Sequence, residues 1–362
     1  MSSSSINISF SNTQTLTPSL KHTHRYVSSG KIARALELAM TKDVKITDSL
    51  AARMILPKKK GDKAHNDRRV KQIVEIARVA KKQGSYHLSS KLYTQCGDKI
   101  KAMKALLKSG DTKKIIFFAA RCRNKSIYVL AANYLTSLNS AHADAKIMQS
   151  IIKFYTKAKE FLSLANFYES CAQVEIDEYR DYNKAMQAYR EAEKFAGKAT
   201  NESSLVMIRQ HIFLIERFVK ARECLETEAG DREEAVRTLN QLLDHSEIES
   251  TMRAGDICFV LVKYYEKTNE LRRAMDVIED MRDRDLDVTG FLDVSVVRKI
   301  YRANGKEWDD DDDDDDDDEI DDNIDDDIDE EVESGKDDDD SEGEDDEEDY
   351  LAKFGTGRFG GK

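Results

Sequence analysis

Only two prolines occur in 362 residues, Pro18 and Pro57, and none lies between residues 58 and 362. A proline-free stretch of this length, rich in Ala, Leu, Lys and Glu, favours continuous helix, because nothing in it removes a backbone donor. Apolar residues recur at helical spacing. Val70, Ile73, Val74, Ala77 and Ala80 fall on one stripe, as do Phe161, Leu164, Ala165 and Tyr168. Leu205, Ile208, Ile212, Ile215 and Val219 advance by alternating three- and four-residue steps along a longer helix. Sustained period-two alternation is lacking, so no strands are expected.

A short unit recurs along the chain. A turn residue is followed by a charged or polar residue, then Ala, then an aliphatic, with a further mostly apolar residue three positions on. The copies are Arg34-Ala35-Leu36 with Ala39 after Gly30, and Lys101-Ala102-Met103 with Leu106 after Gly97-Asp98. Lys184-Ala185-Met186 with Tyr189 follows Asp181-Tyr182-Asn183, and Glu234-Ala235-Val236 with Leu239 follows Gly230-Asp231. Arg273-Ala274-Met275 with Ile278 follows Asn269. In a tetratricopeptide unit the alanine near the start of the second helix marks the close crossing of a hairpin. Glycine suits the reversal because it takes a left-handed backbone cheaply. The alanines lie 67, 83, 50 and 39 residues apart, so the repeat is degenerate. Helices this short bury themselves only by stacking on neighbours, which predicts a solenoid with long binding surfaces rather than an irregular bundle. Pro57 and the lysine run after it break the pattern, and residues 57–68 read as an exposed loop.

Charge is divided unevenly. From Asp309 to Asp349 there are 31 acidic residues against one basic residue, Lys336. Residues 1–130 carry 27 basic against 8 acidic residues. Two such regions on one chain attract each other at low salt. The acidic run repels itself and has little apolar surface to bury, so residues 305–362 are expected to be a disordered acidic tail. Residues 1–24, rich in Ser, Thr and Asn, are expected to be disordered as well. Five cysteines, 26 to 53 residues apart and without a Cys-x-x-Cys, read as reduced thiols of a cytosolic protein. The opening Met1-Ser-Ser-Ser-Ser has neither the basic nor the apolar region of a signal peptide. The longest apolar run, Ile115 to Ala120, is far short of a membrane span, so a soluble chain is expected.

No catalytic, cofactor or metal residues emerge, and no single binding residue stands out. His22 and His24 lie in the segment expected to be disordered, and His87 and His211 read as ordinary helix residues rather than general bases. The end Gly355–Lys362 superficially resembles a phosphate loop. It fails because Thr356 stands five before Gly361, no Ser or Thr follows Lys362, and no strand or helix frames it. Arg68, Arg69 and Lys71 would suit nucleic acid or an anionic membrane, yet no recognition motif accompanies them, and a solvated protein-binding face is the expectation. The acidic run lacks the glycine and ligand spacing of a calcium loop. Ser334 and Ser341 each have an acid three residues on, Asp337 and Glu344, the pattern acidophilic kinases favour.

Several strings go beyond a generic repeat. Gly84-Ser-Tyr-His-Leu leads into Tyr93-Thr94-Gln95 and then Lys101–Asp111; Ala131–Leu135, Phe154–Lys157 and Cys171–Tyr179 follow. Together they resemble the C-terminal tetratricopeptide-like region of the intraflagellar transport protein 140 family, subunits of complex A. The likeness is strongest over 84–190, looser through Arg217–Arg222 and Ala254-Gly255-Asp256 to about 304, and in outline only over 25–60. It implies an all-α tetratricopeptide-like α-solenoid over residues 25–304, and a non-enzymatic scaffold without cofactors. The implied partners are the other complex A subunits and, indirectly, ciliary membrane-protein cargo; no nucleic acid is implied. The implied work is retrograde transport and admission of cargo to the organelle. The implied location is the cilium or flagellum, its basal body and a cytoplasmic pool. In that family tandem WD40 propellers precede the solenoid. Their lack here is what a fragment, a truncated gene model or a product without propeller functions would show. The ten consecutive aspartates also depart from the family's less repetitive tail. A coat-type vesicle subunit and an acidic-tailed, histone-chaperone-like protein are the other classes; the quoted strings argue against the first.

Overall fold

A computed structural model describes residues 18–138, 145–227 and 230–308. Every regular element among these residues is a helix, and eighteen are present. The fold is all-α, of the tetratricopeptide-like solenoid class. The described residues fall into two compact units that divide between Glu160 and Phe161. The acidic run, residues 1–17, Ser334, Ser341 and the glycine-rich end lie outside the described residues.

The first unit holds α1 (Pro18–Ser28), α2 (Ile32–Thr41), α3 (Asp48–Met54), α4 (Lys63–Lys82), α5 (Tyr86–Gln95), α6 (Lys99–Leu107), α7 (Thr112–Cys122), α8 (Lys125–Ser137) and α9 (Ala145–Ala158). Most contacts run between successive helices. The second unit holds α10 (Phe161–Asp177), α11 (Tyr182–Lys198), α12 (Glu202–Thr227), α13 (Arg232–Leu243), α14 (Ile248–Thr251), α15 (Ala254–Lys267), α16 (Leu271–Asp283), α17 (Val288–Phe291) and α18 (Val294–Ala303).

The recurring unit has a physical explanation at each copy. Ala35, Ala102, Ala185, Ala235 and Ala274 are all buried, and each lies in the second helix of a packed pair: α1–α2, α5–α6, α10–α11, α12–α13 and α15–α16. The residues four beyond them, Ala39, Leu106, Tyr189, Leu239 and Ile278, are buried too. Gly97 shows how the reversal works. Its φ of +82° lets its N–H donate to Thr94 O and the Asp98 N–H to Tyr93 O, each at 3.1 Å, closing the end of α5. Asp98 then starts α6, its carboxylate accepting from the Lys101 N–H at 2.9 Å. Asp111, Asp181 and Asp231 cap α7, α11 and α13 in the same way. Arg180 and Asn269 take the left-handed position where no glycine stands, at φ +52° and +60°.

The sequence expectations need three boundary corrections. Helix begins at Pro18, so residues 18–24 are not disordered; proline's fixed φ suits the first helical position, and Thr23 and Val27 of α1 are buried. The loop after α3 ends at Asp62, not 68, because Asp62 caps α4 by accepting from the His65 N–H at 2.9 Å. Order also continues past 304: Trp308 packs edge-on against Tyr301 at 5.0 Å, with the Arg282 guanidinium 5.2 Å from its ring.

The stripes hold where they face a neighbour. Ile73, Ala77 and Ala80 are buried, joined by Ile76, whereas Val70 is exposed. Leu164, Ala165 and Tyr168 are buried on α10, and Ile208, Ile215 and Val219 on α12.

Candidate interaction surfaces and the polar lock of the second unit

Asp181 caps α11 and directs the next residue, Tyr182, inward until only 1% of it is exposed. Its phenol donates to Asp256 Oδ2 at 2.6 Å, on the first turn of α15. Arg180 Nε lies 3.6 Å from the other carboxylate oxygen of Asp256. The Tyr182 ring meets Phe218 of α12 at 4.6 Å. Two arginines extend the lock: Arg180 donates to Gly290 O and Arg253 to Asp177 O, both at 2.9 Å. Both guanidinium groups lie over the Phe291 ring, at 5.2 and 4.5 Å. Gly255 is required at this place, since a Cβ there would sit 2.4 Å from the Phe291 ring. Burial, then the Asp256 charge, push the Tyr182 phenol well above its ordinary range. The group holds α10, α11, α12, α15 and α17 together.

Burial pushes the Cys171 and Cys258 thiols up to about 12, and Cys96 and Cys122 are raised by the same cause. His87 is exposed, 3.8 Å from Asp111. His211 stands edge-on to the Tyr189 ring at 5.3 Å, and burial lowers its pKa against the pull of Glu247. His24 is not in a disordered start: on α1 its Nδ1 lies 2.6 Å from the Arg53 guanidinium. His22 is exposed on the same helix. Arg68, Arg69 and Lys71 belong to α4 rather than to a loop, and Arg69 donates to Leu56 O at 2.9 Å. Among the described residues no group of His, Cys, Asp or Glu has the arrangement to hold a metal ion, and no helix is long and apolar enough to cross a membrane.

What the molecule offers partners is surface. Val206, Met207 and Phe213 are exposed on α12, and Arg217 covers the Phe213 ring at 5.7 Å. On the first unit Phe117 is 65% exposed with Arg121 above its ring, and Ile100 is exposed on α6. A further cleft of about 310 Å³ opens between α3, the loop that follows it, α4 and α5. Sequence reading did not single out Tyr182, Asp256 and Phe291 as a group. The legible signals were an aromatic directly after a helix cap and an Ala-Gly-Asp at a helix start.

Comparison with known families assigns the chain. Residues 19–154 match the tetratricopeptide domain that intraflagellar transport proteins 140 and 172 share. Residues 163–282 match the C-terminal tetratricopeptide domain of intraflagellar transport protein 140. The first match takes in residues 25–60, and the second ends before 304. The matches follow each other in order, and the border between the two compact units falls in the short gap between them, residues 155–162. The first domain is common to two proteins of the transport machinery and the second decides between them: the chain belongs to the intraflagellar transport protein 140 family, as a helical scaffold subunit of the cilium-associated complex A.

Proposed function

We propose that this chain acts without catalysis, in the arm of intraflagellar transport that returns cargo to the ciliary base and helps membrane receptors into the organelle. It does so by contacting other complex A subunits through exposed helix faces, at the cilium and basal body and in a cytoplasmic pool, and binds no nucleic acid. The observation that carries this reading is the pair of family matches, one on each compact unit. The exposed apolar groups on α7 and α12 support it, because large apolar side chains left outside a well-filled core suit the centre of a protein interface.

Tagged chain carrying Phe117→Glu, or Val206→Glu with Phe213→Glu, is compared with the unaltered chain by co-precipitation from ciliated cells. All three positions are exposed, so helicity is retained. At least one variant recovers about tenfold less complex A, equivalent to about 1.4 kcal/mol, and cells dependent on it accumulate cargo at the ciliary tip. Undiminished recovery by both variants would show that these faces do not carry assembly. A clear tip after loss of the chain would remove it from return transport.

A further inference from the structure

The cleft between α3, α4 and α5 has an apolar floor, and the loop that borders it after α3 carries three exposed lysines and is firmly held. Residues 48–95 carry twelve basic side chains against four acidic ones. Its floor and walls include Leu56, Leu88 and Leu92, with Arg69 on one side and Lys91, paired with Asp48 at 2.8 Å, on the other. The loop bearing exposed Lys58, Lys59 and Lys60 is fixed to α4 at several points. Gln72 accepts from the Leu56 N–H at 3.1 Å, His65 Nε2 lies 2.9 Å from Pro57 O, and Asn66 both accepts from and donates to the Lys59 backbone. The lysines are thus presented in advance, which lowers the ordering cost of binding an anionic segment.

The acidic run contains a matching segment. Within residues 319–332 nine acidic residues are interrupted by Ile320, Ile324, Ile328 and Val332, four residues apart each time. On an α-helix each four-residue step turns by about 40°, so these aliphatics span about 120°, the width of an apolar stripe. A helix with one apolar face and acidic flanks fits a groove with an apolar floor and basic rim.

We propose that residues 319–332 of one copy dock in the α3–α4–α5 cleft of a second copy, with Ile324 and Ile328 over Leu56 and the acidic flanks against Lys58–Lys60. The contact pairs two different surfaces, so it is head-to-tail and open-ended. Its strength falls with salt, because its rim is exposed.

The test uses the full chain and a labelled peptide of residues 317–334. At about 50 mM salt, where screening is weak, the chain self-associates with rising concentration in sedimentation, and the peptide competes. Two variants, Ile320→Ser/Ile324→Ser/Ile328→Ser/Val332→Ser and Lys58→Ser/Lys59→Ser/Lys60→Ser, each weaken association at least tenfold while helicity and Trp308 fluorescence are unchanged. A peptide with the same four replacements binds at least tenfold more weakly than the parent. Association that survives the aliphatic replacements would reduce the effect to nonspecific charge attraction and overturn the proposal. So would a chain that stays monomeric, whether the peptide fails to bind or carbodiimide joins the segment to lysines of its own chain.

Discussion

Tyr182→Phe isolates one hydrogen bond at the centre of the second unit. The ring fills the same space and keeps its contact with Phe218, so no cavity opens. What is lost is the 2.6 Å bond to Asp256, whose side chain is almost wholly withdrawn from water. Hydrogen bonds to charged groups contribute about 1.5–3 kcal/mol. Arg180 Nε, at 3.6 Å from the opposite oxygen, faces Oδ1 and does not replace the bond to Oδ2. The expected loss is therefore about 2 kcal/mol. With a urea slope of about 1–3 kcal/mol/M this lowers the midpoint by about 0.7–2 M. Trp308 is the chain's single tryptophan and packs on Tyr301 within the second unit, so its fluorescence reports that unit's unfolding. A midpoint within about 0.2 M of the unaltered chain, at equal slope, would mean that water satisfies Asp256 and that the lock is incidental.

Other substitutions test other parts of the argument. Ala102→Asp or Ala185→Trp, at fully buried hairpin crossings, should cost roughly 2–4 kcal/mol through a buried charge or overpacking, against under about 0.5 kcal/mol if these alanines faced solvent; urea denaturation decides. Gly255→Ala places a methyl against the Phe291 ring and should cost about 1–3 kcal/mol, with part of the loss recovered by Phe291→Leu in a double-mutant cycle. Stability should also fall in alkali. Tyr182 keeps its proton in the folded chain to higher pH than in the unfolded chain, so its contribution is complete below pH 10 and is lost as pH rises through the folded pKa. The slope is about 1.4 kcal/mol per pH unit for this group, and urea titrations at pH 10 to 11 should show a shallower decline in Tyr182→Phe than in the parent chain.

The parts of this fold that sequence discloses are those closed within a few residues. Gly97 and Asp98 are legible because the bonds they make run to Thr94, Tyr93 and Lys101. The alanine of each unit is legible because it recurs after a turn, and each copy is buried in the second helix of its pair. The start of α1 at Pro18 and the packing of Trp308 were missed because a composition rich in Ser and Thr, or the approach of an acidic run, outweighed single residues. The lock was missed for a different reason. Tyr182 and Asp256 are 74 residues apart, and Arg180 and Gly290 are 110 apart, so no local pattern links them. Gln83 is a further case. Its amide accepts from Ile46 N–H and donates to the Ala39 and Val44 carbonyls, tying α4 to the connection after α2 across some forty residues.

These long-range bonds change how the repeat should behave. In a pure stack each repeat touches only its neighbours, and stability is close to a sum of nearest-neighbour terms. The second unit departs from that rule. Arg180 in the turn between α10 and α11 and Tyr182 at the start of α11 reach past α13 and α14 to α15 and α17. Arg253, at the start of α15, returns the connection to the last carbonyl of α10, that of Asp177. Loosening α17 therefore removes the partner of Arg180 and one face of the Arg253–Phe291 contact, and the strain is felt at the α10–α11 turn. These bonds join α10, α11, α15 and α17 in one body, so that opening one of them breaks contacts of the others. For a scaffold this has a direct consequence: a partner seated on any helix of that body draws on the stability of the whole.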